Sequence, residues 1–188
     1  MLCTSCGSNE PTNEHHFVSH KNQGEVPATD LVLNANEGVV YYDNILFTGT
    51  SVKKYNSGVV AETIEYKQGK RNGLRKKWFE NGKLSYEANY ISNKLDGTTR
   101  SWWISGQLKT ESHIVDGKLN GTQKQWYNNG QLFKELTMVD GKESGMQRAW
   151  RKTGKLYINY EAKQGRIFGL NRSNLCYELN NEDIVYKD

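Results

Sequence analysis

Four tryptophans in the middle of the chain are separated by 24 residues each time, and each opens a similar phrase. The phrases WFENGKL, WWISGQL, WYNNGQL and WRKTGKL begin at Trp78, Trp102, Trp126 and Trp150. The same period recurs in the glycines Gly49, Gly73, Gly97, Gly121, Gly145 and Gly169. A period held over such a long stretch indicates a repeat architecture, in which each unit buries its apolar surface against its neighbours.

The period divides the chain into units whose ends are atypical, as expected for units that cap a stack. The units are 49–72, with Lys54 in the tryptophan position, then 73–96, 97–120, 121–144 and 145–168, with a partial unit from Gly169. We predict three segments on this basis. They are a flexible N-terminal tether over 1–36, the repeat array over 37–175, and a C-terminal cap or tail over 176–188.

Each unit is predicted to form two strands. In 73–96, two stretches rich in aromatic and β-branched residues are separated by the turn signal ENG and followed by the longer loop SNKLDG. A helix is excluded because an interior glycine costs about 1 kcal/mol relative to alanine, and glycines recur throughout the array. The predicted fold is all-β: an elongated antiparallel β-meander of tandem 24-residue hairpins. The hydrophobic content of 36% agrees with a fold that has no thick core.

The tight turn sets the register of each hairpin. Only its glycine is constant, and the preceding residue is Ser, Asn or Thr, so a three-residue loop with one left-handed glycine fits better than a type I′ turn. This loop places Trp78 opposite Leu84. We expect Tyr86 and Ala88 to share their face. The opposite face is then expected to carry the repeated glutamates Glu87, Glu111 and Glu135.

The units GLRKKWFENGKLSYEANYISNK and GTQKQWYNNGQLFKELTMVDGK resemble the variant MORN repeat, of pattern G-x4-W-[YF]-x-N-G-x-L-x2-E-x2-Y-x2-G-K. The lead-in Gly38–Gly49 resembles the cap that commonly precedes such arrays in bacterial proteins. The resemblance covers about 38–175 and implies a β-meander with an interaction or scaffold role, and no reaction. Similar bacterial proteins are often labelled antitoxins of toxin–antitoxin systems, a label that no residue here supports.

The net charge of +4 is unevenly distributed, since 49–168 holds 22 basic and 11 acidic residues. A basic ribbon suggests an anionic partner, which can be lipid headgroups, an acidic envelope polymer, nucleic acid or an acidic protein face. We expect an unknown protein or an anionic envelope surface, with peripheral or lipid-anchored membrane association, and no specific nucleic acid. Two rows are candidate partner-binding residues, although solvation is the commoner role of such a basic row and cross-strand packing the commoner role of such an aromatic row. The basic row beside the tryptophans is Lys76, Arg100, Lys124 and Arg148, and the aromatic row on the opposite face is Tyr55, Phe79, Trp103 and Tyr127.

The N-terminal stretch MLCTSCGSNE resembles the end of a bacterial lipoprotein signal, with Cys6 as the residue to be acylated and a polar tether after it. We therefore expect a lipid-anchored protein of the cell envelope. A disordered tail is the second interpretation. A zinc site formed by Cys3 and Cys6 with His15, His16 and His20 is the third, although the histidine spacing is short for a zinc finger.

No catalytic motif is found in the sequence. The glycines recur periodically, which assigns them to turns and not to a phosphate-binding loop. We therefore predict a non-enzymatic interaction or scaffold module of the bacterial envelope, with no cofactor and no metal. The alternative is a soluble cytoplasmic protein that neutralises one partner, as an antitoxin does. A small metal-binding enzyme using the N-terminal Cys/His cluster is a third hypothesis.

Overall fold

The computed structural model describes residues 22–170, together with the backbone of 179–180 and 183–184. The first strands are β1 (Glu25–Pro27), β2 (Val32–Asn34), β3 (Val39–Tyr42), β4 (Ile45–Leu46), β5 (Gly49–Lys54), β6 (Val60–Lys67), β7 (Lys70–Trp78) and β8 (Leu84–Ile91). Then follow β9 (Lys94–Leu95), β10 (Gly97–Trp102), β11 (Leu108–Val115), β12 (Lys118–Leu119), β13 (Gly121–Trp126), β14 (Leu132–Val139), β15 (Lys142–Trp150), β16 (Leu156–Lys163) and β17 (Arg166–Leu170). A short pair, β18 (Leu179–Asn180) and β19 (Asp183–Ile184), follows, and one 3-10 turn spans Ala28–Asp30.

Strands β2, β3 and β4 form a small separate sheet. The other strands up to β17 form one long, mostly antiparallel meander, which confirms the predicted fold class. The sheet order is β1-β5-β6-β7-β8-β10-β11-β13-β14-β15-β16-β17, with β9 and β12 pairing beside β8 and β11. Twelve strands along that path make a ribbon roughly 50 Å long, at the usual spacing of about 4.8 Å between strands. Among the described residues no helix has the length and apolar character needed to cross a membrane.

The turn after each tryptophan has the predicted geometry. Trp102 pairs with Leu108, and Gly106 has φ 96° while its N–H donates to the Trp103 carbonyl at 2.7 Å. The N–H of Trp103 in turn donates to the Gln107 carbonyl at 2.8 Å. These two bonds define a type I turn closed by a left-handed glycine, as the variable residue before the glycine predicted.

The second connection of each unit is tighter than the predicted loop. Ser92 and Asn93 both have positive φ, 47° and 72°, and Ile91 pairs directly with Lys94. Two consecutive residues with positive φ between paired strands make a two-residue type I′ turn. Asn93 adopts the left-handed conformation as predicted, but so does Ser92, a residue type that rarely does so.

A second irregularity, which the sequence analysis did not anticipate, follows each tight turn. Trp102 pairs with Leu108, whereas Ser101 pairs with Thr110, so Lys109 has no partner in β10. The same shift occurs in every hairpin of the array and leaves Ala61, Ser85, Lys109, Phe133 and Tyr157 as the extra residues. Such a bulge changes the direction in which side chains project.

The bulge corrects the predicted faces. Paired residues in an antiparallel sheet project to the same side. Lys76 pairs with Glu87, while Lys77 and Arg75 pair with Tyr86 and Ala88. The repeated glutamates therefore share the face of the basic row, and the expectation that they lie on the opposite face is wrong.

One face of the sheet carries the buried side chains. Its apolar members include Ala88, Tyr90, Ile114, Met138, Tyr160 and Ala162. Thr99, Gln123 and Gln147 occupy one position in successive units and are also buried there. The Gln147 amide donates to the Thr137 carbonyl at 2.7 Å, and Gln123 donates to the His113 carbonyl at 3.3 Å. Burial of these amides is tolerated because they satisfy carbonyls where the strand pairing is interrupted.

Residues 22–48, here called the cap, pack on the first units of the array. Strand β1 pairs in parallel with β5, and Val26, Val40 and Phe47 form a buried apolar cluster with Tyr66 packed against it. The predicted tether over 1–36 therefore extends too far, because Glu25 already begins the sheet. Residues 1–21 and most of the predicted tail over 176–188 lie outside the described residues.

Asn93 attaches the cap to the array. It stands where the other units have Gly69, Gly117, Gly141 and Gly165. Its side-chain amide donates to the Gly38 carbonyl at 2.7 Å, and its side-chain oxygen accepts from the Arg71 N–H at 2.8 Å. The single departure from glycine in this row thus marks the place where the cap docks.

Replacing Asn93 with glycine, the residue found elsewhere in the row, should destabilise the cap. Both side-chain hydrogen bonds disappear while the backbone conformation stays allowed, so we expect a loss of about 1–2 kcal/mol. Hydrogen exchange at the Val40 N–H, which donates to the Gly69 carbonyl, reports cap opening directly. Gly117→Asn is the matched control and should change stability little. Unchanged Val40 protection in Asn93→Gly would exclude the docking role.

Candidate functional site

The basic row predicted as a partner-binding surface is already paired with acidic residues. Lys76 Nζ lies 3.3 Å from Glu87, and Arg100 Nε lies 2.7 Å from Glu111. Lys124 and Arg148 both lie 3.6 Å from Glu135. Exposed ion pairs of this kind contribute little to stability, but they compensate the charge of the row. The row therefore offers an anionic partner less attraction than its sequence suggests.

The aromatic row has a structural task between neighbouring units. The Tyr55 hydroxyl donates to the Trp78 carbonyl at 2.7 Å, and the Tyr127 hydroxyl donates to the Trp150 carbonyl at 3.0 Å. The Trp103 indole N–H donates to the Trp126 carbonyl at 3.2 Å. Each side chain thus donates a hydrogen bond to the backbone of the tryptophan in the following unit. Phe79 holds the same position and has no donor with which to do so.

Phe79→Tyr should complete this series of hydrogen bonds between units. A hydroxyl at this position is expected to reach the Trp102 carbonyl, as Tyr55 and Tyr127 reach theirs, and to raise the free energy of unfolding by about 1 kcal/mol. Tyr127→Phe is the reverse change and should lower it by a similar amount. Urea denaturation followed by circular dichroism measures both. A Phe79→Tyr midpoint equal to that of the parent chain would show that the hydroxyl does not reach its acceptor.

Three units bring rings and cations together beside the tight turns. The first residue of each turn lies near the bulged residue of the same hairpin. The contacts are Lys109 Nζ over the Trp103 ring at 4.6 Å, Tyr127 against Phe133 at 4.8 Å between ring centroids, and Arg151 over the Tyr157 ring at 5.8 Å. Lys152 lies 5.8 Å from the Tyr127 ring and so joins two units. We call these seven residues the aromatic–cation strip.

The cations of the strip differ from those of the basic row in what they contact. Lys109, Arg151 and Lys152 are exposed, and within the described part of the chain none forms an ion pair with a carboxylate. A cation over a ring keeps its charge and most of its hydration, so it remains able to bind an anion. The strip therefore combines uncompensated positive charge with half-buried aromatic rings.

The strip also acts on the ionisation of its own members. Burial against neighbouring side chains raises the pKa of the Tyr127 hydroxyl, the nearby Tyr157 raises it further, and the Arg151 guanidinium opposes the shift. A raised pKa that Arg151 partly opposes is expected where rings and a cation lie close together. Tyr127 therefore stays neutral at physiological pH and acts as a hydrogen-bond donor.

Sequence reasoning named two of the seven residues of this strip. Trp103 and Tyr127 were predicted as binding candidates, and the structure places both in it. Lys109, Phe133 and Tyr157 were missed because the second bulge was not anticipated. Tyr55 and Phe79, the other members of the aromatic row, have no cation–ring contact within the described part of the chain, and the bulge of the Phe79 hairpin holds Ser85.

No metal centre is found among the described residues, where three His, Cys, Asp or Glu side chains nowhere come together. The candidate anchor Cys6 and the rival zinc ligands Cys3, His15, His16 and His20 lie outside these residues. Their predicted roles remain predictions.

Comparisons with known proteins identify the repeat. The MORN repeat variant matches residues 71–92 and 119–140, each of which contains one tryptophan turn. A comparison with curated protein sequences finds no match. Among solved structures, one that resembles this chain is a mutant of TarM from S. aureus in complex with fondaparinux, alpha-GlcNAc-glycerol and UDP, at 13% identity and a TM-score of 0.33. That similarity covers 61% of this chain and 21% of the TarM chain, and it carries no argument about function.

Proposed function

We propose that this chain is a binding module for an extended anionic polymer. Two of its segments, 71–92 and 119–140, match the MORN repeat variant, which supports a repeat-based binding or scaffold role. The polymer lies along the aromatic–cation strip and crosses three successive units. The observation that carries the proposal is that the strip cations contact rings at 4.6–5.8 Å instead of carboxylates.

The spacing of the units favours a polymer over a small ligand. Equivalent residues of neighbouring units lie two strands apart, about 10 Å, which is close to the Debye length at ordinary salt. Lys109 in one unit, and Arg151 with Lys152 two units further on, then attract separate negative charges. A chain-like partner can contact both ends and the rings of the middle unit at once. Linked contacts of this kind raise the overall affinity well above that of one contact.

The partner we propose is an acidic polymer of the bacterial cell envelope. The sequence around Cys6, which resembles a lipoprotein anchor, supports an envelope location. The half-buried rings of the strip support a partner that itself contains rings, since rings stack on aromatic side chains. The protein would act there as a tethered, non-enzymatic scaffold.

Binding to three soluble polymers tests the proposal. Dextran sulfate carries rings and negative charge, polyglutamate carries charge without rings in its backbone, and dextran carries rings without charge. We expect dextran sulfate to bind most tightly, polyglutamate more weakly, and dextran not measurably. Affinity for dextran sulfate should fall steeply between low and high salt. Equal binding of all three polymers, or no binding of dextran sulfate at low salt, would contradict the proposed function.

A further inference from the structure

A cleft of about 580 Å³ lies between the cap and the buried face of the first units, at the N-terminal end of the array and apart from the aromatic–cation strip. Its volume falls within the range of pockets that bind small molecules, about 300–1,000 Å³. The cap contributes one wall through residues 28–40, and strands β5, β6 and β7 contribute the other. Asn93 closes it where the cap is attached.

The walls of the cleft present apolar surface that the chain does not cover. Leu31 and Leu33 line it from the cap, and Ile64 lines it from the sheet. Leu33 is 64% exposed, which is unusual for a leucine beside a partly enclosed space. Removing such a side chain from water is favourable, so the wall is suited to an aliphatic ligand.

The floor of the cleft is polar and positively charged. Lys53 and Arg71 line it and pair with no carboxylate among the described residues, whereas Glu62 is held by Arg75 at 2.7 Å and Lys77 at 3.6 Å. The three charged lining residues Lys53, Arg71 and Glu62 therefore leave one net positive charge.

Hydroxyl groups stand beside these cations. Tyr66 and Ser51 both line the cleft, and Ser51 is only 3% exposed. Burial raises the pKa of Tyr66, while the nearby Arg71 and a hydrogen bond from Ser51 oppose that shift. Tyr66 is thus a neutral donor at physiological pH, next to the Arg71 guanidinium. A guanidinium beside one hydroxyl donor suits the recognition of a carboxylate.

We propose that this cleft binds a small aliphatic carboxylate, with the carboxyl group at Arg71 and the hydrocarbon chain against Leu31, Leu33 and Ile64. The single net positive charge of the lining residues complements a single negative charge. The site is independent of the polymer-binding strip, so either proposal can fail without the other.

Calorimetric titration of the full chain with three eight-carbon ligands tests the site. Octanoate should bind at one site per chain. Octan-1-ol has the same hydrocarbon chain without charge and should bind at least about tenfold more weakly, because a hydrogen bond to a charged group is stronger than one to a neutral group. Octylammonium should not bind, since it carries the wrong charge. Equal binding of octanoate and octylammonium would overturn the proposal.

Two variants probe the two ends of the cleft separately. Arg71→Leu should weaken octanoate by at least about tenfold and leave octan-1-ol unchanged. Leu33→Asp, at a position exposed enough to tolerate the change, should weaken both ligands. Arg166→Leu, in β17 at the far end of the array, is the matched control and should bind octanoate as the parent does. Parent-like octanoate binding by both Arg71→Leu and Leu33→Asp would also overturn the proposal.

Discussion

Gly69→Ala is expected to destabilise the chain by about 2–5 kcal/mol, the sum of a left-handed backbone penalty and of overpacking. Gly69 has φ 74°, and a Cβ there would lie 2.9 Å from both Val39 Cβ and the Val40 carbonyl oxygen. The backbone at Gly69 cannot move away from the cap, because the Gly69 N–H donates to the Phe47 carbonyl and the Gly69 carbonyl accepts from the Val40 N–H.

Gly117→Ala separates the two causes of this effect. Gly117 occupies the same turn position with φ 81°, but a Cβ there meets nothing within 4 Å. Only the backbone penalty of about 1–2 kcal/mol then applies. Urea denaturation followed by circular dichroism should rank the parent first, Gly117→Ala second and Gly69→Ala last. Equal midpoints for the two variants would show that contact with the cap adds nothing to the cost of a Cβ at position 69.

The repeat and its main register were predictable from the sequence because they rest on local chemistry. A glycine that alone stays constant in a turn indicates one left-handed residue, and this fixed the pairing of Trp102 with Leu108. The period of 24 residues then carried that assignment through the array.

The faces of the sheet were not predictable in the same way. A bulge beyond the turn has no residue requirement of its own here, since Ser85, Lys109, Phe133 and Tyr157 all occupy it. A shift of one residue reverses every face assignment beyond it. The basic row was therefore predicted to lie on the face opposite the repeated glutamates, whereas both lie on the same face. The glutamates that repeat every 24 residues are its ion-pair partners.

The cap was recognised only in part. The segment Gly38–Gly49 was identified through its resemblance, but residues 25–34 were assigned to a tether because they carry no repeat signal. Their place depends on contacts between distant residues, such as the parallel pairing of Val26 with Ser51. Asn93 was the one local sign, since it breaks a row of glycines at the point where the cap is attached.

Reversing the charge of the strip should abolish polymer binding while leaving the fold intact. The variant is Lys109→Glu, Arg151→Glu and Lys152→Glu together. All three side chains are exposed, and none pairs with a carboxylate among the described residues. The matched control is Lys67→Glu, Lys118→Glu and Lys142→Glu, which makes the same change in net charge at exposed positions beside the type I′ turns.

The affinity of dextran sulfate for the parent chain and these two triple variants, at one low salt concentration, tests the central claim most directly. We expect the strip variant to lose at least about tenfold in affinity, and the control to lose far less, because a local cluster of charge concentrates an anion more than the net charge does. Circular dichroism should show the same β-sheet signal in all three proteins. Equal losses in the two variants would show that only net charge attracts the polymer, and would contradict binding at the strip.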